Sequence, residues 1–242
     1  MGAIEEQIYS LVKNKNPNNP LAYVRNIVRP LSIDKLIQCM KSCNDCSIGN
    51  NVRSLPYGNY NGSILIVRDF VSKEYLGKKY VYAYNENNES DAVVKQSIEQ
   101  CGIDAKQILW MNAVNCCPYE IIGKRTCSRI PNKTELCNCK VFVDFAIQSF
   151  APVFIFLMGA TALSMFMDIG INEMHGHFVS LHGIPAMPVY NPEYLQTVKE
   201  KMPDSYPICK KVFDNDIERA SMFLRQRYPI LFNSNVKKES VF

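Results

Sequence analysis

Residues 151–167 read APVFIFLMGATALSMFM, the most apolar run in a chain of 242 residues. Such a run is either a bilayer-spanning helix or a buried strand that turns into a helix. A span needs about 20 apolar residues, and this run is slightly short and carries Pro152, Gly159 and Thr161. We therefore read a strand over 153–157, a turn at Gly159 and a helix over 160–167, with no membrane association. A strand that is apolar on both sides belongs in a sheet covered on both faces, the usual setting of parallel strands.

Working outward, the same alternation recurs. Strands are expected over 63–67 (SILIV), 108–114 and 184–190. Ser90 and Asp91 open a helix whose Val94, Ile98 and Cys101 share one face, and Gly102 ends it. Asn132 followed by Glu135 gives a capping-box start to a helix reaching about Phe150, and Ser32 is expected to cap a helix running towards Cys39. Alternating strands and helices predict an α/β fold with a parallel sheet and helices on both faces. A polar linker over 14–20 follows a short N-terminal helix. The stretch 116–131, with Pro118, Gly123 and Pro131, reads as a loop, and 214–228 reads as an amphipathic docking helix. The domain reading is an extension over 1–31, one domain over 32–198, and a helical extension over 199–242 packed on that domain.

The chain carries ten cysteines and 47% hydrophobic residues. An acidic pair stands where the basic region of a signal peptide belongs, and Glu6 stands where an N-myristoylation motif requires Ser or Thr. A reducing, cytoplasmic setting with metal-bound and free thiols is expected, rather than a disulfide framework. Cys43 and Cys46 form a C-x2-C, and Cys116 and Cys139 lie far downstream. Four thiolates from two distant segments suit tetrahedral zinc or an iron–sulfur cluster, and spacing does not choose between them. A net charge of +4 permits nucleic-acid binding without arguing for it.

Ligands of parallel α/β sheets bind outside the carboxyl ends of the strands. That rule selects 68–72, 112–117, 159–161 and 191–194. The Asn112 amide offers a donor and an acceptor, the complement of a pyrimidine edge, or else bonds local backbone. Asp69 either polarises a water or is a solvated loop carboxylate. Asn191-Pro192 begins a turn. His175, His177 and His182 cluster in sequence and read as groups near phosphate or in solvent rather than as metal ligands.

Taken in order, these features resemble the uracil-DNA glycosylase superfamily, in particular its iron–sulfur (family 4) branch. The resemblance runs over 43–195. The cysteine pair, Asn112-Ala-Val-Asn-Cys116 with Pro118, Glu135 to Cys139, the GATAL turn over 159–163, and Asn191-Pro-Glu-Tyr-Leu195 after a G-I-P-x-x-P-x-Y strand all match its motifs. The resemblance implies a three-layer α/β/α sandwich around a central four-stranded parallel sheet. It also implies a base-flipping hydrolase of N-glycosidic bonds in DNA repair, acting on uracil or a related modified pyrimidine.

Asp69 and Asn191 would be catalytic, and Asn112 and Tyr80 would hold and stack on the base. Gly159, Tyr194 and Leu195 would meet DNA, the last two as a wedge. Cys43, Cys46, Cys116 and Cys139 would hold a 4Fe-4S cluster, with zinc as the alternative. The implied partners are DNA, with the protein nucleoid-associated when bound to it, and a replication or repair protein; the chain is expected to be a monomer. Two departures stand out. The family's G-E-A-P-G is Arg68-Asp-Phe-Val-Ser72, and its His is Asn191. The first departure motivates a rival reading, a catalytically silent relative that binds DNA or a protein partner.

Overall fold

The computed structural model describes residues 29–232. The chain runs through α1 (Arg29–Ser42), β1 (Arg53–Leu55), β2 (Tyr57–Gly58), β3 (Ile64–Phe70), β4 (Tyr80–Tyr82), α2 (Glu89–Gln100) and β5 (Ile108–Val114). A hairpin of β6 (Tyr119–Ile122) and β7 (Arg125–Ser128) leads into α3 (Lys133–Phe150), β8 (Phe154–Met158), α4 (Ala160–Ser164) and α5 (Ile171–Met174). The last elements are β9 (Val179–Leu181), β10 (Ile184–Val189), α6 (Pro192–Lys201) and α7 (Tyr206–Arg227).

The main sheet has the order β2-β5-β3-β8-β10-β9. Its centre, β5-β3-β8-β10, is the expected four-stranded parallel sheet. Two short antiparallel strands, β2 and β9, extend the edges. Neighbouring residues of a strand face opposite ways. Leu65, Val67, Met111, Ala113, Ile155 and Leu157 therefore pack in one core with α1 and α3. Ile64, Ile66, Trp110, Phe154 and Phe156 pack in the other core with Ile98, Phe213, Ile217 and Leu224. Each large apolar side chain buried this way contributes about 1.5–3 kcal/mol. All seven residues of β5 are buried, the signature of a strand covered on both faces.

The apolar run 151–167 is β8 turning into α4, and among the described residues no helix is long and apolar enough to cross a membrane. The capping box holds: Asn132 Oδ1 accepts the Glu135 N–H at 2.9 Å, and Glu135 Oε2 accepts the Asn132 N–H at 2.9 Å. Three expectations need correction. The helix assigned to a Ser32 cap already begins at Arg29, with Pro30 in its first turn, where no backbone donor is required. The stretch 116–131 contains the β6–β7 hairpin, whose Ile121 and Ile122 are exposed, so no buried face marks it in sequence. The helix expected over 160–167 stops at Ser164. The linker over 14–20 and the helix before it lie outside the described residues.

Candidate active site and cysteine centre

The carboxyl end of β3 is where the candidate residues meet. Asp69 Oδ1 accepts the Ala162 N–H at 2.9 Å, and Asp69 Oδ2 accepts from Asn191 Nδ2 at 2.6 Å. The carboxylate lies directly against Gly159: a Cβ there would stand 2.2 Å from Asp69 Oδ2, and φ is +113°. Only glycine serves this position, on both counts. Asn191 is also the N-cap of α6, its Oδ1 accepting the Glu193 N–H at 2.8 Å. Burial pushes the Asp69 carboxyl up to about 6, while the donors from Ala162 and Asn191 work in the opposite direction.

Arg68, one residue earlier, points to the other face of the sheet. Its buried guanidinium donates to the carboxylates of Asp91 and Glu193 and to the Ala83 carbonyl at 3.2 Å. Two opposite charges raise its pKa against the effect of burial, so it stays ionised. β3 thus reaches the turn before α6 twice, through Asp69 to Asn191 and through Arg68 to Glu193. Neither Asp91 nor Glu193 was assigned a site role from sequence. Asp91 reads as a helix opener, and Arg68 gives no periodic sign of partners 23 and 125 residues away.

Arg68 and Phe70 line a cleft of about 430 Å³ without closing it, together with Asn112, Tyr82, Asp91 and Glu193. Asn112 lies in register with Arg68 and is 6% exposed. Among the described residues its side chain has no hydrogen-bond partner, so both ends of the amide are left for a ligand. Asp69, Asn191 and Gly159 sit beside this cleft, on the opposite face of β3. Tyr80 lines an adjoining groove instead, with Lys41 and Lys79 about 5.5 Å and 5.4 Å from its ring centre. Tyr194 is 47% exposed, whereas Leu195 is fully buried in the core. Of that pair only Tyr194 is at the surface.

Cys43, Cys116 and Cys139 are buried and Cys46 is half-buried, all in one region. Burial raises all four thiols; Cys116 reaches about 11 and also feels the charges of Cys46 and Cys43, while Cys139 feels those of Cys116, Cys43 and Cys46. Among the described residues, no three His, Cys, Asp or Glu side chains are close enough to hold a single metal ion. The surroundings fit an anionic thiolate group. Arg53 bridges to Cys116 and donates to the carbonyls of Lys41, Cys43 and Gly49, pinning the loop that bears Cys43 and Cys46. Among the described residues, the buried side-chain polar atoms without a partner are Arg53 Nε, Ser54 Oγ and both ends of the Asn115 amide. All belong to the two segments that meet beside these cysteines, and unpaired buried polar atoms call for a partner.

The histidines are separate. His175 Nδ1 pairs with Asp216 at 2.8 Å, His182 Nε2 with Asp144 at 3.1 Å, and His177 Nδ1 with the His175 carbonyl at 3.1 Å.

A parallel sheet under two helical layers, with Asp69, Asn112 and Asn191 gathered at the carboxyl ends of its strands, defines an α/β protein whose candidate site lies where ligands of such sheets bind. Residues 55–214 match the family model of the uracil DNA glycosylase superfamily, and the chain belongs to that superfamily. The Type-4 uracil-DNA glycosylase of Thermotoga maritima is 24% identical over 195 residues, which cover 77% of this chain and 92% of that protein. The resemblance drawn from the motifs is borne out. The family match begins after Cys43 and Cys46 and takes in every other candidate residue.

Proposed function

We propose that the chain is a DNA glycosylase that receives an everted uracil, or a related modified pyrimidine, and hydrolyses its N-glycosidic bond. The observation that carries this reading is the buried amide of Asn112, without a partner among the described residues, opening into the cleft beside Asp69. An extruded base is read through its Watson–Crick edge, and one amide meets a neighbouring donor and acceptor on that edge. Tyr80 supplies a ring face at the rim.

A nucleotide lying across the end of β3 would bring its base to Asn112 and its sugar to Asp69. As the bond to the base breaks, positive charge builds on the sugar and the base leaves with the electron pair. The Asp69 carboxylate opposes that positive charge and accepts the proton of the water that adds to the sugar carbon. A carboxyl with a pKa of about 6 is mostly ionised at neutral pH yet basic enough for this role. Asn191 orients the carboxylate with one amide N–H and keeps the second for the oxygen of the departing base. Gly159 and Tyr194 face the DNA.

Cys43, Cys46, Cys116 and Cys139 would hold a 4Fe-4S cluster, and these residues come from the loop before β1, the segment after β5 and the first turns of α3. The unpaired polar atoms beside them and the Arg53 charge support an anionic centre there. A bound cluster would supply a rigid cross-link between segments that carry site residues. Zinc at the same thiolates is distinguished by metal analysis of anaerobically purified protein.

The test is release of base from uracil-containing oligonucleotides, read as strand cleavage after alkali, for wild type and Asp69→Asn. Cleavage by the wild type and none by the variant is expected. No cleavage of any pyrimidine lesion sinks the enzymatic reading. The Arg68 side chain on the cleft floor motivates the second reading, a silent relative that binds DNA. DNA binding without base release, unchanged by Asp69→Ala, supports that reading.

A further inference from the structure

Next to the cleft lies a second groove of about 370 Å³, half of whose lining residues are tyrosine. Tyr57 and Tyr84 stack with ring centres 5.3 Å apart, Tyr82 meets Tyr57 edge-on at 5.8 Å, and Tyr84 rests on Trp110 at 4.7 Å. Tyr84 and Trp110 cover the sheet edge, which accounts for them by packing alone. Tyr57 and Tyr82 are different, being 41% and 62% exposed. Exposure of that extent gains little from folding and leaves ring surface open to a planar ligand.

The charges around the groove point the same way. Lys78 lines it with its Nζ 5.3 Å from the Tyr75 ring centre, and Lys79 and Lys41 flank Tyr80. Among the described residues none of these three lysines is in an ion pair. Glu86 lines the groove as well and is the acidic group in its wall. The groove is continuous with the cleft, because Tyr75, Val81, Tyr82, Asn85 and Asn87 line both. Aromatic faces beside unpaired lysines form a binding surface for an unpaired strand, since every base has a face to stack and every link a phosphate to neutralise.

We propose that this groove is a single-strand subsite: Tyr57 and Tyr82 stack an unpaired nucleobase flanking the everted one, while Lys78 and Lys79 meet its phosphates. The subsite rests on the glycosylase reading for its position beside the cleft, but not for its chemistry. It gives the chain a preference for DNA that is already single-stranded around the target base.

The experiment measures fluorescence anisotropy of a labelled, uracil-free oligothymidylate and of a duplex containing the same strand, at one fixed salt concentration. In Tyr57→Ala/Tyr82→Ala, single-strand affinity is expected to fall about tenfold or more, as loss of base stacking implies. Duplex affinity should change less than about twofold, and Tyr57→Phe/Tyr82→Phe, which keeps both ring faces, should bind as wild type. Lys78→Ala/Lys79→Ala should flatten the salt dependence of single-strand binding. Unchanged single-strand affinity, equal losses for strand and duplex, or a wild type that does not bind the strand would each overturn the proposal. Tyrosine-dependent strand binding in a protein that releases no base leaves the subsite standing and removes the glycosylase reading. Base release with tyrosine-independent strand binding does the reverse.

Discussion

Asn191 donates its amide to Asp69 across 2.6 Å while its carbonyl oxygen takes the Glu193 N–H at 2.8 Å, so one side chain orients a half-buried carboxylate and caps a helix. Arg68 grips Glu193 from the far side of the same strand end. The position of the Asp69 carboxylate is therefore coupled to the start of α6.

Base release by the wild type should rise with pH through about 6 and level off above it, because burial holds the Asp69 carboxyl there. Asp69→Asn should lower the single-turnover rate about a hundredfold or more. The same shift has a sign for stability. A carboxyl raised above its unfolded value stabilises the native state below that value, and this contribution is lost as pH rises through about 6. Thermal melts should therefore show a smaller decline between about pH 4 and about pH 6 in Asp69→Ala than in wild type.

Asn191→Ala removes both bonds of the amide. Loss of the cap should cost about 1 kcal/mol in urea unfolding. Without its donor the Asp69 carboxylate is harder to ionise, so the rise in the pH–rate profile should move to higher pH. Asn191→Ser restores a capping oxygen and should recover the stability but not the profile. A profile that stays in place in both variants would remove Asn191 from the positioning of Asp69.

Arg68→Leu strands the Asp91 carboxylate, whose side chain is only 3% exposed. Breaking such a buried pair costs about 3–5 kcal/mol, and Arg68→Leu/Asp91→Leu should recover much of that. Glu193 is 45% exposed, so Glu193→Gln should cost about 1 kcal/mol or less. Denaturant unfolding of the four proteins checks the order.

Cys139→Ser should abolish iron and acid-labile sulfide binding and the visible absorption that accompanies them. Cys137→Ser, two residues away but exposed, should leave both intact. One zinc per chain in colourless wild-type protein would assign the thiolates to zinc instead.

What could be read from sequence was local or strongly periodic. The Asn132–Glu135 capping box lies within one turn, and β5 is an apolar run interrupted only by Asn112, at its expected bounds of 108–114. The edge strands β2 and β9, of two and three residues, are too short to carry an alternating pattern. The β6–β7 hairpin buries neither of its isoleucines, so it has no apolar face to recognise. In the candidate site, residue types were legible where chemistry demands them at the carboxyl end of a strand, as for Asp69 and Asn112. Their partners were not, because the Asn191–Asp69 bond spans 122 residues and the Arg68–Glu193 pair 125. Leu195 illustrates the same limit: sequence places it next to Tyr194, while the turn of α6 sends it into the core.

The void where Gly159 lacks a side chain is filled by the Asp69 carboxylate. One added methyl group would evict that carboxylate and strain the turn from β8 into α4. The identity of this single position thus works as a fuse for the proposed chemistry. In any chain built on this frame, a residue larger than glycine there would mark a protein that folds and falls silent.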